Sequence, residues 1–506
     1  MDWPAASSQR FCSFVRTVVT VILVIDIGTT SVRVATMSSN GDIVGFKQQQ
    51  QPPSSPFAGL VEFDPIALAS TVQELATSAV NAVGAVTGVA ITTQRASTIV
   101  WDRSSGEPIG PGLSWQDLRT VGECMTARSE HGVTVAPNQS ATKAQWLLQS
   151  VESPEPNNLC IGTVDSWITW MLSRGESHVT DHTNAAVTGW YDPQGASWSE
   201  HLCDVFTTPT SMLPQIVNSV GECAIAHSLP GAPPIVALIG DQQASLVGQG
   251  CVSPGLAKIT FGTGGMLDTV VNDDSPLAQT TRRGDGGCFG IVAWAEGGQR
   301  TFGAESIMLA AGSNIDWLRD DLKIISSSVE SHDIASSCSS TDGVMFVPAP
   351  LGLGTPHWDY GARSTFVGLT RGTTRAHMVR AVVEGIAHRG ADLVEAVRAD
   401  AVADVDVVRV DGGMSQNAFF VQALADFTGL TVEVSPHTEG TTVGAGRLAL
   451  VGTHEMSTVV DTAEMWDPQV IVHPDDSFDR VDARSRWEQA SSRSRGWIPE
   501  LSSLDF

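Results

Sequence analysis

Two segments, one in each half of the chain, share a pattern that leaves little choice of architecture. ILVIDIGTTSVRVATM runs from Ile22 to Met37, and LAKITFGTGGMLDTVV from Leu256 to Val271. In each, an apolar, β-rich run enters a Gly-Thr turn and a second run leaves it. Successive N–H groups and hydroxyls at such a turn can cradle phosphate oxygens. The pairing predicts two related lobes closing on one phosphate chain, the layout of a two-lobed ATP-using enzyme.

At 506 residues the chain is too long for one core and predicts two large domains. The expected boundaries are a disordered leader over residues 1–17, a first lobe over 18–251, a second over 252–475 and a polar tail over 476–506. With 29 basic against 55 acidic residues the net charge is -26. That argues against nucleic acid and anionic membranes as partners, because both need a positive footprint. A phosphate pocket built from backbone N–H groups and a metal ion tolerates a negative surface. The eight cysteines form no Cys-x-x-Cys pair, which argues against zinc and reads as reduced thiols of a cytoplasmic protein. Arg10 and Arg16 precede the apolar run Val18 to Ile25, but that run ends in Asp26 without a cleavage site. A first buried strand fits it better.

The remaining patterning is mixed α/β. Strands are expected at Val19–Ile27, Ser31–Met37 and Ile43–Phe46, the last two joined by the hairpin signal Asn40-Gly41. Pro65–Val83 has helical periodicity with Asp64 as its cap. Val86–Thr92 and Ser97–Trp101 read as strands around a loop at Thr93–Arg95. Later come helices at Ala141–Leu148, Arg375–Val397, Ala418–Thr428 and Thr441–Leu450, strands at Val405–Val410 and Leu430–Val434, and a helix in the tail.

Four segments carry chemistry. In DIGTTSVR, Asp26 leaves a buried strand toward the turn, where a carboxylate suits a hydrated Mg²⁺. Arg33 can add charge-assisted bonds; the alternative is a plain hairpin with a satisfied Asp. FGTGG repeats the device, with Thr263 at its tip; a β-bulge is the alternative there. VRVDGGMSQN is strand, glycine turn and helix N-terminus, a nucleotide site or a structural turn. Gly412 and Gly413 leave room for a base or ribose, and Asn417 can hydrogen-bond it. GDQQASLVGQG follows the strand Ile235–Ile239 and sets Asp241 at the cleft. Phosphoryl transfer to an alcohol needs a base and an orienting donor, and Asp241 and Gln242 fit those roles. The alternative for Asp241 is a helix N-cap.

Together these segments resemble the FGGY carbohydrate kinases, most closely the glycerol kinase branch. The resemblance extends to GLVEFDP (Gly59–Pro65), TQRASTIVWDRSSGEPIG (Thr93–Gly110), WQDLRT (Trp115–Thr120), SATKAQWLL (Ser140–Leu148) and VTDHTNA (Val179–Ala185). SMLP (Ser211–Pro214), FVPAPLGLGTPHWD (Phe346–Asp359) and FVGLTRGTTRAHMVRAVVEGIA (Phe366–Ala387) continue it. It spans about Val21 to Gly452 in family order. It implies an α/β, two-lobed fold of the actin/Hsp70/sugar-kinase ATPase type, with ribonuclease H-like domains and the active site in the interlobe cleft. It further implies ATP and Mg²⁺ as cofactors and a small polyol or sugar as partner; homo-oligomers are compatible with it. By motif, Asp26 would serve Mg²⁺, and Thr29, Thr30, Ser31, Arg33, Thr263 and Gly312 would hold phosphates. Gly413 and Asn417 would hold the adenosine. Asp241 would be the catalytic base, with Arg95, Trp115 and Gln242 around the acceptor. Asp316 falls where glycerol kinases usually carry Gln near the nucleotide.

The departures lie on the acceptor side. After Arg95, the branch's usual Glu is Ala96; before SATK, its Tyr is Asn138; after the FGTG turn, its aromatic residue is Met266. Losing the Glu removes a strong hydroxyl acceptor, and Ala96 and Asn138 vacate volume. The expectation is a wider pocket for a longer polyol or a sugar. True glycerol kinase activity, a ketose kinase such as a xylulokinase, and a non-catalytic nucleotide-binding regulator are the alternatives.

Overall fold

A computed structural model describes residues 20–150, 158–401 and 404–504, so the leader expected over 1–17 lies outside the described residues. The first apolar run forms β1 (Val21–Ile27), buried from Ile22 to Ile27 on both faces, as a central strand must be. The Gly28–Thr30 turn returns the chain antiparallel as β2 (Ser31–Ser38), setting Asp26 opposite Arg33. The Asn40-Gly41 turn leads to β3 (Ile43–Gln50), an exposed edge strand longer than its short apolar run predicts. Pairing with β2 carries it on through Lys47–Gln50. Helix α1 (Pro65–Val83) starts where the Asp64 carboxylate accepts the N–H groups of Ile66 and Ala67. It crosses to β4 (Gly88–Thr93), parallel to β1. Helix α2 (Ser140–Ser150) lies outside the sheet. The antiparallel pair β5 (Val220–Ile225) and β6 (Pro234–Gly240) completes it, with β6 parallel to β4 and leading directly into α3 (Asp241–Gly248). The order is β5-β6-β4-β1-β2-β3.

The second half repeats the plan. β7 (Leu256–Phe261) turns into antiparallel β8 (Gly265–Val270), and a hairpin of β9 (Phe289–Glu296) and β10 (Gln299–Met308) adds to β8. After α4 (Ser313–Asp320), α5 (Glu330–Ser336) and the long α6 (Arg375–Asp400), β11 (Val407–Asp411) lies parallel to β7. Helix α7 (Ala418–Thr428) leads to β12 (Thr431–Val434), parallel to β11, and then to α8 (Gly440–Gly452). β13 (Val470–Val472) closes the sheet antiparallel to β12. The order is β9-β10-β8-β7-β11-β12-β13. Apart from β9, each strand matches one of the first sheet in place and direction, so the two lobes are copies of one α/β unit.

The equivalent helices α3 and α8 pack against each other between the lobes. The contact is backbone on backbone: a Cβ at Gly444 would sit 1.7 Å from the Ala244 carbonyl oxygen, and one at Gly248 would sit 2.0 Å from that of Gly440. Around them, Ile22, Val24 and Ile239 of the first sheet share a core with Val443, Leu448, Val270 and Trp294. Helix α9 (Arg480–Ser492) packs on α6: the Trp487 indole N–H meets Asp392, and the His388 ring stacks between Phe427 and Trp487 at 3.7 and 4.9 Å. Among the described residues no helix is long and apolar enough to cross a membrane.

Candidate active site

Strands β1, β4 and β6 run parallel, so their C-terminal ends share one edge of the first sheet, where α/β folds place their ligands. Asp26, Arg95 and Asp241 meet there. Arg95 Nε lies 3.7 Å from Asp241 Oδ1, while Arg95 Nη2 donates to Glu305 Oε2 of the second lobe at 2.6 Å and lies 3.6 Å from Met266 Sδ. Arg95 therefore spans the cleft. Burial pushes the Asp241 carboxyl up to about 6; Arg95 draws it back down and Asp26 pushes it further up. Its Oδ1 accepts the Gln242 backbone N–H at 2.8 Å.

Asp26 is 1% exposed. Burial raises its carboxyl above the usual range, opposed by Arg33 at 3.6 Å and the Thr442 hydroxyl at 2.7 Å. Arg33 Nε also lies 3.1 Å from Glu439 Oε2. A carboxylate this buried, compensated only by a long ion pair and one hydroxyl, suits a cation. Among the described residues no three His, Cys, Asp or Glu side chains gather as a metal cage. Mg²⁺ does not need one, because it binds through one or two carboxylates, waters and phosphate oxygens. The residues fit that ion.

The loop after β4 differs from expectation. The strand predicted over Ser97–Trp101 begins at Ile99, because Ala96 takes a left-handed φ of 61° that interrupts the extended chain. That conformation is over-determined: the Ala96 carbonyl accepts the hydroxyls of Thr98 (3.1 Å) and Ser140 (3.2 Å) and Lys143 Nζ (3.4 Å). Lys143 also donates to the Asn138 carbonyl at 2.7 Å. One buried ammonium thus joins the backbones of Ala96 and Asn138, and burial lowers that ammonium to about 7. The Asn138 side chain is exposed, and Met266 is half-buried. Trp115 reaches the first Gly-Thr turn, where its indole N–H donates to Thr29 Oγ1 at 3.0 Å. Thr30 is exposed at the tip of that turn. Ser31 is not: it is buried, and its hydroxyl accepts the Gln48 amide at 3.1 Å.

The second turn opens onto a cavity of about 350 Å³. Thr263, Gly312, Asp316, Gly413 and Asn417 all line it. Backbone bonds from Ala311 to the Thr263 carbonyl (2.7 Å) and from Gly312 to the Gly262 carbonyl (2.9 Å) hold the turn against the start of α4. Gly412 has φ 84°, and a Cβ there would meet the Phe261 carbonyl oxygen at 2.4 Å, so only glycine fits. Asn417 caps α7, accepting the Phe420 N–H at 3.1 Å, and its Nδ2 reaches Ser331 Oγ at 3.2 Å. Asp316 is exposed and pairs with Arg319 at 3.0 Å.

Sequence reasoning passed over Ser331 and His332 in this cavity, and Lys258, Asp268, Glu305 and Thr442 in the cleft. Ser331 and His332 carry no local signal. Lys258 and Asp268 do: each is the one charge in a short, otherwise uncharged β-rich strand.

Family models for the FGGY family of carbohydrate kinases match the chain twice, the N-terminal domain over residues 21–248 and the C-terminal domain over 257–453. The chain is 37% identical over 496 residues to a glycerol kinase of Deinococcus radiodurans, covering 94% of this chain and 98% of that protein. It is 35% identical to glycerol kinase 2 of Thermotoga maritima over 496 residues, covering 94% and 99%. The fold is similar to a crystal structure of Plasmodium falciparum glycerol kinase with ADP, at a TM-score of 0.86 and 28% identity over 94% of this chain and 98% of that one. A ligand-bound xylulose kinase from Lactobacillus acidophilus shares the fold at a TM-score of 0.83 and 19% identity, over 96% and 99% of the two chains.

Proposed function

This chain belongs to the FGGY family of carbohydrate kinases, phosphotransferases with an alcohol group as acceptor, and on that premise we propose that it phosphorylates a polyol or sugar larger than glycerol at the expense of ATP. The observation that carries the kinase reading is the meeting of Asp241, raised to about 6 by burial, with Arg95 and Asp26 at one strand edge. Near neutral pH such a carboxylate is ionised yet basic enough to take a hydroxyl proton. Arg95, held by Glu305 across the cleft, orients the acceptor and offsets the charge of Asp241. The Gly28–Thr30 and Gly262–Gly264 turns would hold the phosphates, and the cavity around Gly413 and Asn417 the adenosine. Asp26 would hold Mg²⁺, which when bound supplies charge neutralisation on the phosphates. Holding base, acceptor and phosphate in line supplies most of the rate.

The wider acceptor pocket is supported by Ala96, whose left-handed backbone is tied down while its side chain ends at Cβ. A coupled assay on purified protein over glycerol, erythritol, longer alditols and ketoses tests this. Turnover of a longer polyol or a ketose above glycerol is expected, and activity confined to glycerol would overturn the wider pocket. Ala96→Glu with Asn138→Tyr should shift preference toward glycerol by about tenfold or more, the scale of one restored hydroxyl partner plus lost volume.

A further inference from the structure

We propose that Lys258 is a positioning residue that turns the Gln242 amide so that it faces the acceptor as a hydrogen-bond donor, with Asp268 holding Lys258 in place. The proposal rests on the kinase reading above. Lys258 and Asp268 are both 0% exposed and sit opposite each other in the register of β7 and β8. The ammonium has three protons and three acceptors: Asp268 Oδ2 at 2.7 Å, Gln242 Oε1 at 2.8 Å and Thr260 Oγ1 at 3.3 Å. An ammonium donates and never accepts, so the oxygen end of the amide must face it. That leaves Nε2 as the free end of Gln242, and among the described residues it has no hydrogen-bond partner. Gln242 follows Asp241 at the start of α3, and its backbone N–H bonds the Asp241 carboxylate at 2.8 Å, so the two residues are neighbours at that end of the helix. A buried ion pair adds little stability over an apolar pair of the same volume. What it adds here is direction, from a group mounted on two paired strands.

The consequence is a polarity for the acceptor site. Gln242 offers N–H groups, and with Ala96 in place of a carboxylate the hydroxyl-accepting role falls to Asp241. The acceptor must therefore present an oxygen lone pair to Gln242, beside the hydroxyl that Asp241 deprotonates. A carbonyl or a second hydroxyl meets that need.

Two variants and one spectroscopic readout test this. Gln242→Glu keeps an oxygen for Lys258 but replaces the donor with a second acceptor. Its acceptor KM should rise about tenfold or more, with the KM for ATP unchanged. Lys258→Met alone would strand the Asp268 charge, so Lys258→Met is combined with Asp268→Leu, which removes both charges. That double variant should melt as the wild type does, raise the acceptor KM about tenfold, and move the Gln242 side-chain ¹⁵N amide signal. The signal is identified by its loss in Gln242→Glu. A folded double variant with an unchanged acceptor KM overturns the proposal, as does an unmoved amide signal or a Gln242→Glu enzyme that binds acceptor as the wild type does. If the wild type turns over no acceptor in the panel, the kinase reading fails, while the amide signal still decides whether Lys258 holds Gln242.

Discussion

Asp241 shows how one residue carries activity and instability together. As the proposed base, its carboxyl, raised to about 6 chiefly by burial, would have to be ionised to take a proton from the acceptor. Turnover should therefore fall as pH drops through about 6, read as the acid limb of kcat/KM. Stability runs the other way. The folded pKa lies above the ordinary 3.8, so the folded state favours the protonated form, and that contribution is present below 3.8 and lost as pH rises through about 6. At pH 7.5, Asp241→Asn removes a partly buried charge. It should cost about 10²-fold or more in kcat while its melting temperature matches or exceeds that of the wild type. A lower melting temperature would mean that the Arg95 pairing outweighs burial. A second residue-scale test uses Gly413, which lines the cavity proposed for the nucleotide and where an added Cβ would meet nothing within 4 Å. Gly413→Val should fold normally yet lose ADP binding by calorimetry. These residues were legible in the sequence because strand ends and glycine turns announce themselves locally. The surroundings of Ser31 were not legible, because only the pairing of β2 with β3 brings Gln48 to its hydroxyl.

At the scale of elements, helix α1 matches its periodicity end to end, with Asp64 as the cap, and α7 starts and stops where its pattern does. Elements with strong periodicity and a local stop signal need little tertiary help. The α3–α8 contact is of another kind. Thr441–Leu450 reads as a helix and GDQQASLVGQG as the segment that follows a strand end, but nothing in either says that they touch. Their backbones meet where a Cβ on Gly444 would lie 1.7 Å from the Ala244 carbonyl. Gly444→Ala should therefore force the helices apart, lowering stability by about 1–3 kcal/mol in denaturant titration. Because Asp241 opens α3 and Thr442 of α8 bonds to Asp26, kcat should fall with it. An unchanged denaturation midpoint would show that the contact can relax at no cost. Ala96 marks the limit of propensity: its β-rich neighbours predict extended chain, and three donors on its carbonyl hold it left-handed instead.

At the scale of the whole molecule, the lobes are joined by the core around α3 and α8, by Arg95 with Glu305, and by Thr442 with Asp26. A core drawing side chains from both sheets cannot melt in one lobe alone. Calorimetry should show a single cooperative transition despite the two-lobed architecture, and two resolved transitions would contradict the shared core. Saturating ADP at one hundred times its Kd should add about 2.7 kcal/mol to that transition. By itself, the sequence determined that two copies of a strand–turn–strand unit exist, that each carries a Gly-Thr turn, and that Ala96, Asn138 and Met266 stand where the resemblance expects Glu, Tyr and an aromatic residue. These are properties of short segments, written in periodicity, glycine placement and residue type. Only the tertiary structure decided that Lys143 ties Ala96 to Asn138, that Glu305 holds Arg95 across the cleft, and that Lys258 donates to the Gln242 amide oxygen. Arg95 and Glu305 stand 210 positions apart, buried where an unpaired charge is costly, so which partners meet is chosen by the folded chain.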